Sequence, residues 1–308
     1  MDVLSDVLRS GMGSVSLLAR TDYQGRWGVI LDGQETAGLH YVERGECWLR
    51  MEGQAPLRLR QGDVALLPRG DRHILAGGPR TRAQPLEDFQ AAPVDPSLAV
   101  DARVVCAAQR YEGGLRSQHP LLVELPALIH LPCHTIASCP SLSPCIQLLL
   151  HELEVDAPGR SALVELLLET LLLYVVRHWI QTEAHASSGW VRALRDRQIA
   201  RALEVMHGNP ATPWTVEQLA AEAGMSRPVF ARRFRNLTGR GPASYLVDLR
   251  LRRGSSLLRT TERPLAEIAD EVGFASAFSF SRAFKRMVGV SPSHYRGDRP
   301  DLPSIQNG

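Results

Sequence analysis

The sequence predicts an α+β protein: a small β-barrel in front, a helical connector, and an all-α C-terminal domain carrying two helix-turn-helix units. Three observations lead there. Residues 14–125 alternate short apolar runs with Gly- and Pro-bearing turns, the pattern of strands. From Pro144 onward apolar residues recur at helical spacing. One stretch of the helical half occurs twice. A chain of 308 residues is long enough for two domains, and 44% hydrophobic with 22% charged residues suits a soluble globular chain.

Taken in order, "MDVLSDVLRSGMG" has early acids and no apolar run, so it does not read as a secretory leader. "ECWLRM", "PLRLRQ" and "VALLP" are strand-like, separated by turn signals such as "LDGQE" and "EGQAP". Many short strands of this kind make a barrel or sandwich, placed at residues 1–130. "PCIQLLLHELE" puts Pro144 in a helix's first turn, and "GRSALVELLLETLLLYVVRHWIQTEA" follows a loop containing Pro158 and Gly159. The most apolar stretch, Leu163 to Ile180, is broken by Glu165, Glu169 and Arg177, so it reads as a buried or dimerising helix and not a membrane span. Residues 131–189 are therefore the connector and expected dimer surface, ending in the small-polar linker "AHASSG". Residues 190–299 form the helical domain and 300–308 a tail.

Charge divides along the same line. From Trp190 onward there are 19 Lys and Arg against 11 Asp and Glu, a net of +8, while residues 1–189 carry 16 against 22, a net of −6. The basic third expects a polyanion partner; the acidic front does not share that task. The repeat says how the polyanion is met. "LAAEAGMSRPVFARRFRNLTGRGPASY" (Leu219 to Tyr245) aligns with "IADEVGFASAFSFSRAFKRMVGVSPSHY" (Ile268 to Tyr295), with turn glycines at Gly224 and Gly273. Each copy is a helix, a turn and a second helix. In the second copy Phe280, Phe284 and Met287 recur at i, i+4, i+7 and face a core, with Phe274 beneath, while Ser279, Arg282 and Arg286 face outward. In the first, Phe230 and Phe234 face inward and leave Arg227, Ala231, Arg232 and Arg235 outside. A single such helix has a competing reading as a solvated basic face packed on a core. Two copies joined by a helix long enough to set them about one DNA turn, ~34 Å, apart point to duplex DNA.

Trp190 to Arg296 resembles the DNA-binding domain of the AraC/XylS family of transcription regulators, on "WTVEQLAAEAGMSRPVFARRF", "PLAEIADEVGFASAFSFSRAFKRMVGVSPSHYR" and the helix between them. The resemblance implies DNA contacts at Ser226, Arg227, Pro228, Ala231, Arg232 and Arg235 in the first unit. In the second it implies Ser276, Ala277, Phe278, Ser279, Arg282 and Lys285. Pro228 and Ala231 stand where such helices often carry polar base readers, so the first helix is expected to hold phosphates and thymine methyls. The expected regulator is cytoplasmic, from its reduced thiols, homodimeric through the apolar helix, and an activator that contacts RNA polymerase.

"GDVALLPRGDRH" (Gly62 to His73) fits G-x5-P-x-G-x2-H and resembles the second motif of cupin domains; the first motif is degraded to His40 and Glu43 in "HYVERGECWLRMEG". The front half thus resembles the cupin-type sensor of one AraC subgroup. His40 and His73 are candidate ligand or sensor residues, with a structural barrel histidine as the competing reading of His73. No cofactor or metal is expected, since a three-ligand site is hard to assemble from these residues. "IHLPCHTIASCPSLSPCIQLLLH" (Ile129 to His151) groups Cys133, Cys139 and Cys145 with His130, His134 and His151. Ordinary loop cysteines, a thiol sensor and a metal site are its three readings. The second expects a Cys145 thiolate at a helix start, with Cys139 close enough to resolve it as a disulfide. Five cysteines without a secretory context read as reduced thiols. The functional expectation is a DNA-binding regulator answering a small-molecule or oxidant signal. The rivals are a metal-dependent cupin enzyme fused to a DNA-binding domain and a purely architectural DNA binder.

Overall fold

The structure is a computed structural model. It describes residues 3, 6–7, 12–33, 36–89, 95, 97, 99–111, 124–182 and 189–297. Residues 184–188 of the expected linker at 184–189, and the tail at 300–308, lie outside these. The chain forms two compact units: residues 14–110 with 125–182, and residues 1–13, 111–124 and 183–308.

The first unit is a strongly curled sheet backed by helices. Its strands are β1 (Met12–Tyr23), β2 (Gly28–Leu31), β3 (Thr36–Met51), β4 (Leu57–Arg60), β5 (Val64–Leu67), β6 (His73–Ala76), β7 (Gln84–Pro85), β8 (Ala102–Tyr111) and β9 (Ile129–Leu131). The long β3 is the spine. Its first part pairs antiparallel with β8 and β5, its second with β4 and β6. A register shift between Val42 and Arg44 in the β3–β8 ladder bends the strand from one set of partners to the other. Sheet order runs β1-β8-β3-β6-β2-β7, with β4 and β5 off that path on β3, and β9 on β5. The residues 37, 39, 47 and 49 alternate inward along β3 as a half-buried strand requires. Val42, Cys47, Leu49, Leu59, Leu67, Leu75 and Val104 fill the interior, with Tyr23 stacked on Trp27 at 3.7 Å.

Three helices follow β9: α1 (Cys133–Ser138), α2 (Leu142–Glu154) and α3 (Arg160–Thr182). α2 buries Leu142, Cys145, Ile146, Leu149 and Leu153, the i, i+3, i+4, i+7 stripe of an amphipathic helix, and packs on α3. Each such leucine contributes roughly 1.5–3 kcal/mol by leaving water. α3 buries Val164, Leu168, Leu171, Leu172, Val175 and Val176, yet Leu163 and Leu166, with Leu148 of α2, stay exposed. Among the described residues no helix is long and apolar enough to cross a membrane.

The second unit holds α4 (Trp190–Arg195), α5 (Arg197–Gly208), α6 (Val216–Glu222), α7 (Arg227–Thr238), α8 (Pro242–Thr260), α9 (Leu265–Glu271), α10 (Ala277–Val288) and α11 (Pro292–Gly297). Asp196 ends α4 and caps α5, accepting from the Gln198 and Ile199 N–H groups at 3.2 Å. Residues remote in sequence complete this unit. Glu124 accepts from the Trp190 N–H at 2.7 Å, and the buried His207 bridges the Asp6 carboxylate at 2.5 Å and the Tyr245 hydroxyl at 2.7 Å.

Candidate DNA-reading surface and sensor cavity

Both helix-turn-helix units form as the repeat predicts. α6 starts in a capping box between Thr215 and Gln218. The turns into α7 and α10 pass through Gly224 (φ 64°) and Gly273 (φ 84°), a left-handed conformation that a side chain disfavours. The inner faces are duplicates. Phe230 and Phe234 are fully buried with ring centroids 5.4 Å apart, and Tyr245 meets Phe234 edge-on at 5.5 Å. Phe280 and Phe284 repeat this at 5.5 Å, Tyr295 meets Phe284 edge-on at 5.2 Å, and Phe274 closes on Phe280 at 5.3 Å. Such ring pairs are worth about 0.5–1.5 kcal/mol beyond their burial.

The outer faces carry the cations. On α7, Arg227, Pro228, Arg232 and Arg235 are exposed and Ala231 is half-buried. Arg227 pairs with Glu217 at 2.8 Å, and Arg233 is tied to Asp196 at 2.6 Å. Arg232 and Arg235 have no side-chain partner among the described residues. On α10, Lys285 and Arg286 are likewise exposed and unpartnered there, and Arg282 lies 5.7 Å from the centroid of the Phe278 ring. Phe278 is 71% exposed at the start of α10. Most large rings are buried, whereas this one stands in solvent beside Arg282.

Two expected readers also hold the helix start. Ser276 and Ser279 form the capping box of α10. The Ser279 N–H donates to the Ser276 hydroxyl at 3.2 Å, and the Ser279 hydroxyl donates to the Ser276 carbonyl at 2.8 Å. Ser279 therefore holds the helix start instead of standing free as an outward side chain. Ser226, at the equivalent place before α7, makes no side-chain cap bond. Arg250 was not anticipated. Sequence periodicity makes it one more cation of the linking helix. In the structure its guanidinium donates to the carbonyls of Pro210 at 2.7 Å, Thr212 at 2.8 Å and Gly273 at 2.9 Å, so it ties the second unit's turn to the loop before α6.

In the sheet unit the cupin-type turn brings His73 inward, onto His40. The Nε2 atoms are 2.7 Å apart, His40 Nδ1 is 3.2 Å from Cys106 Sγ, and His73 Nδ1 is 2.8 Å from the Asp71 carbonyl. The tautomers follow from the partners. A carbonyl only accepts, so His73 Nδ1 carries the proton. His73 Nε2 then accepts from His40 Nε2–H, and His40 Nδ1 accepts from the Cys106 thiol. Burial, reinforced by His73, holds the His40 pKa well below the ordinary value. Burial also lowers His73, against the opposing bond to Asp71. Burial, with Cys47 near, pushes the Cys106 thiol up to about 12. Register explains why Cys106 escaped notice: it stands opposite His40 only through the β3–β8 ladder.

This arrangement does not offer His40, His73 and Cys106 to one ion. The two nitrogens of His40 point at different neighbours, so one metal cannot meet His73 and Cys106 through the same ring. Glu43, the other remnant of the first cupin motif, is bound by Arg20 at 2.6 Å and by Arg103 at 3.4 Å. Burial alone would raise its pKa, but these two arginines bring it below the usual carboxylate value. Among the described residues no three His, Cys, Asp or Glu side chains are placed to hold a metal.

The Cys–His segment does not gather into one cluster. His130 Nε2 is 3.0 Å from the buried Asp63, whose other oxygen accepts from the Cys133 N–H at 2.8 Å, so this acid of "GDVALLP" anchors the start of α1. His134 and His151 are exposed. The expectation of an activated Cys145 thiolate is corrected. Cys145 sits one turn inside α2 and faces α3, its thiol 3.6 Å from the Leu167 carbonyl, and burial pushes its pKa up to about 11. Cys139 is half-buried and Cys133 exposed, and all five thiols are free.

Comparison with known proteins follows the same division. A family model described as Cupin matches residues 2–181, and one described as Helix-turn-helix domain matches residues 219–298. A Streptomyces antibioticus protein described as an AraC-like transcription regulator is 34% identical over 314 residues, covering 96% of this chain and 98% of its own. One of Streptomyces lividans with the same description is 32% identical over 320 residues, covering 98% and 100%. The crystal structure of the DNA-binding domain of AdpA in complex with a target DNA is 32% identical over 36% of this chain and 92% of that chain, with a TM-score of 0.28.

Proposed function

The chain belongs to the AraC-like family of DNA-binding transcription regulators, its front half a cupin domain, and from that premise we propose that it reads its operator with α7 and α10 as a dimer and answers a signal received by the sheet unit. The observation carrying the reading is the duplicated pair of helices, each with a buried Phe–Phe–Tyr cluster behind it and unpartnered cations in front. Arg235, Lys285 and Arg286 supply phosphate contacts, and Arg227, Ala231, Arg232, Ala277, Phe278 and Arg282 lie in the first half of each reading helix, the part that approaches base edges. Pro228 and Ala231 favour apolar contact with thymine methyls. Ser226 is free to donate, whereas Ser276 and Ser279 act through the cap.

The signal is a small molecule or an oxidant. Supporting this are the buried Cys106–His40–His73 chain, whose hydrogen bonds a polar ligand or an altered thiol would break, and the exposed Cys133 thiol at the start of α1. Output is a change in operator affinity or in contact with RNA polymerase, with a coupling free energy of about 1–3 kcal/mol. Activation and a cytoplasmic site of action complete the reading.

The test selects an operator from random-sequence DNA with the full chain, then footprints it. Expected are protection of at least about one helical turn, affinity falling steeply with salt, and losses of about 1–3 kcal/mol in Arg232→Ala and Arg282→Ala without a change in melting temperature. No preference over random DNA, or protection shorter than a turn, overturns the two-helix reading.

A further inference from the structure

The sheet unit carries a second candidate site outside the barrel interior. A cleft of about 980 Å³ lies against β3 and the loop before β7, lined in part by Arg26, Trp48, Arg80, Thr81, Arg82 and Gln84. Its size suits a small organic ligand. Among the described residues no carboxylate lines it. Elsewhere in the same unit Arg20, Arg58, Arg69, Arg72 and Arg103 each reach an Asp or Glu. Arg26, Arg80 and Arg82 have no ion-pair partner among the described residues. Three uncompensated cations thus share one concavity in the half of the chain whose net charge is −6.

The loop bearing two of them is held in place. The Gly77 N–H donates to the Trp27 carbonyl at 3.0 Å, and the Arg50 guanidinium donates to the Thr81 carbonyl at 2.7 Å, between Arg80 and Arg82. Arg50 is therefore a positioning residue for the pair. Guanidinium groups match phosphate oxygens in charge and in fork geometry, and several together favour a multiply charged anion over a monocarboxylate. Trp48 adds an aromatic wall on which a planar ring can lie, and Gln84 adds an amide donor and acceptor.

We propose that this cleft binds a nucleotide-type ligand, its phosphates on Arg26, Arg80 and Arg82 and its planar base against Trp48. The site stands independently of the DNA-reading surface, and its test reads binding directly.

ADP, adenosine and inorganic phosphate are titrated calorimetrically into the full chain. Expected are one ADP per chain, and adenosine and phosphate each weaker by at least about tenfold, since each keeps only one of the two kinds of contact. Arg80→Gln/Arg82→Gln should weaken ADP by at least about tenfold while keeping the parent's melting temperature and its operator affinity without nucleotide. Absence of ADP binding at millimolar concentration overturns the proposal. So does unchanged ADP affinity in the double variant, which would place the nucleotide on the basic helical unit. Phosphate binding as tight as ADP would reduce the cleft to an anion patch and sink the ring subsite.

Discussion

The Nε2–Nε2 contact of His40 and His73 is proton-ordered, with His40 donating and His73 accepting. A proton added to His73 Nε2 sets N–H against N–H, and one added to His40 Nδ1 sets its N–H against the Cys106 thiol hydrogen. Both pKa values are lowered by burial from the ordinary 6.5. The unfolded chain therefore takes up protons that the folded chain refuses, and stability present above about pH 6.5 is lost as pH falls. Asp22, through its bond to Arg103, and Glu43 also have depressed pKa values, but their contribution is lost only below the ordinary 3.8 and 4.5. We expect the melting temperature to drop between about pH 7.5 and about pH 5.5, and to drop less in His73→Gln. A melting temperature that is flat or rises over that interval would show the pair is not a neutral, proton-ordered contact.

Among the elements, the linking helix α8 does more than span a distance. Its length of 19 residues gives about 28 Å at ~1.5 Å per residue, and both helix-turn-helix cores lean on it. Gly254 lies mid-helix, where glycine normally costs about 1 kcal/mol against alanine. A Cβ there would stand 2.6 and 2.7 Å from two ring carbons of the fully buried Phe280. The missing side chain is what lets α10 seat Phe280, its first buried phenylalanine. Gly254→Ala should therefore destabilise the chain by about 1–3 kcal/mol through overpacking, despite its better helix propensity. A thermal melt decides the matter: a variant more stable than the parent would mean the ring moves aside without cost.

For the whole molecule, the open question is association. Leu148, Leu163 and Leu166 are 57%, 47% and 58% exposed on α2 and α3, although Leu142, Leu149, Leu153, Leu168, Leu171 and Leu172 of those helices are buried. Apolar residues left uncovered on neighbouring elements mark interfaces, and two copies of the paired reading helices suit two half-sites. We expect Leu163→Glu/Leu166→Glu to sediment as a monomer with an unchanged melting temperature, while the parent sediments as a dimer at micromolar concentration. A parent that is monomeric there removes the proposed interface.

The architecture of the helical half was legible because its determinants are local and stated twice: the Phe spacing, the turn glycines and the Gly-x-x-Pro-x-x-Tyr ending each appear in both copies, and α-helical contacts lie within a few residues. The inward turn of His73 was legible for the same reason, being written in one twelve-residue motif. What the linear chain could not disclose depends on pairings between distant residues. Cys106 meets His40 across 66 positions, Asp6 meets His207 across 201, and Arg250 reaches carbonyls at 210 and 273. Cys145 shows the converse: local reasoning placed it at a helix start and made it reactive, but the packing of α2 on α3 buries it and removes the water a thiolate needs. Secondary structure follows from periodicity along the chain. Protonation, reactivity and free charge depend on what the fold sets beside each group, and that was decided by the tertiary structure alone.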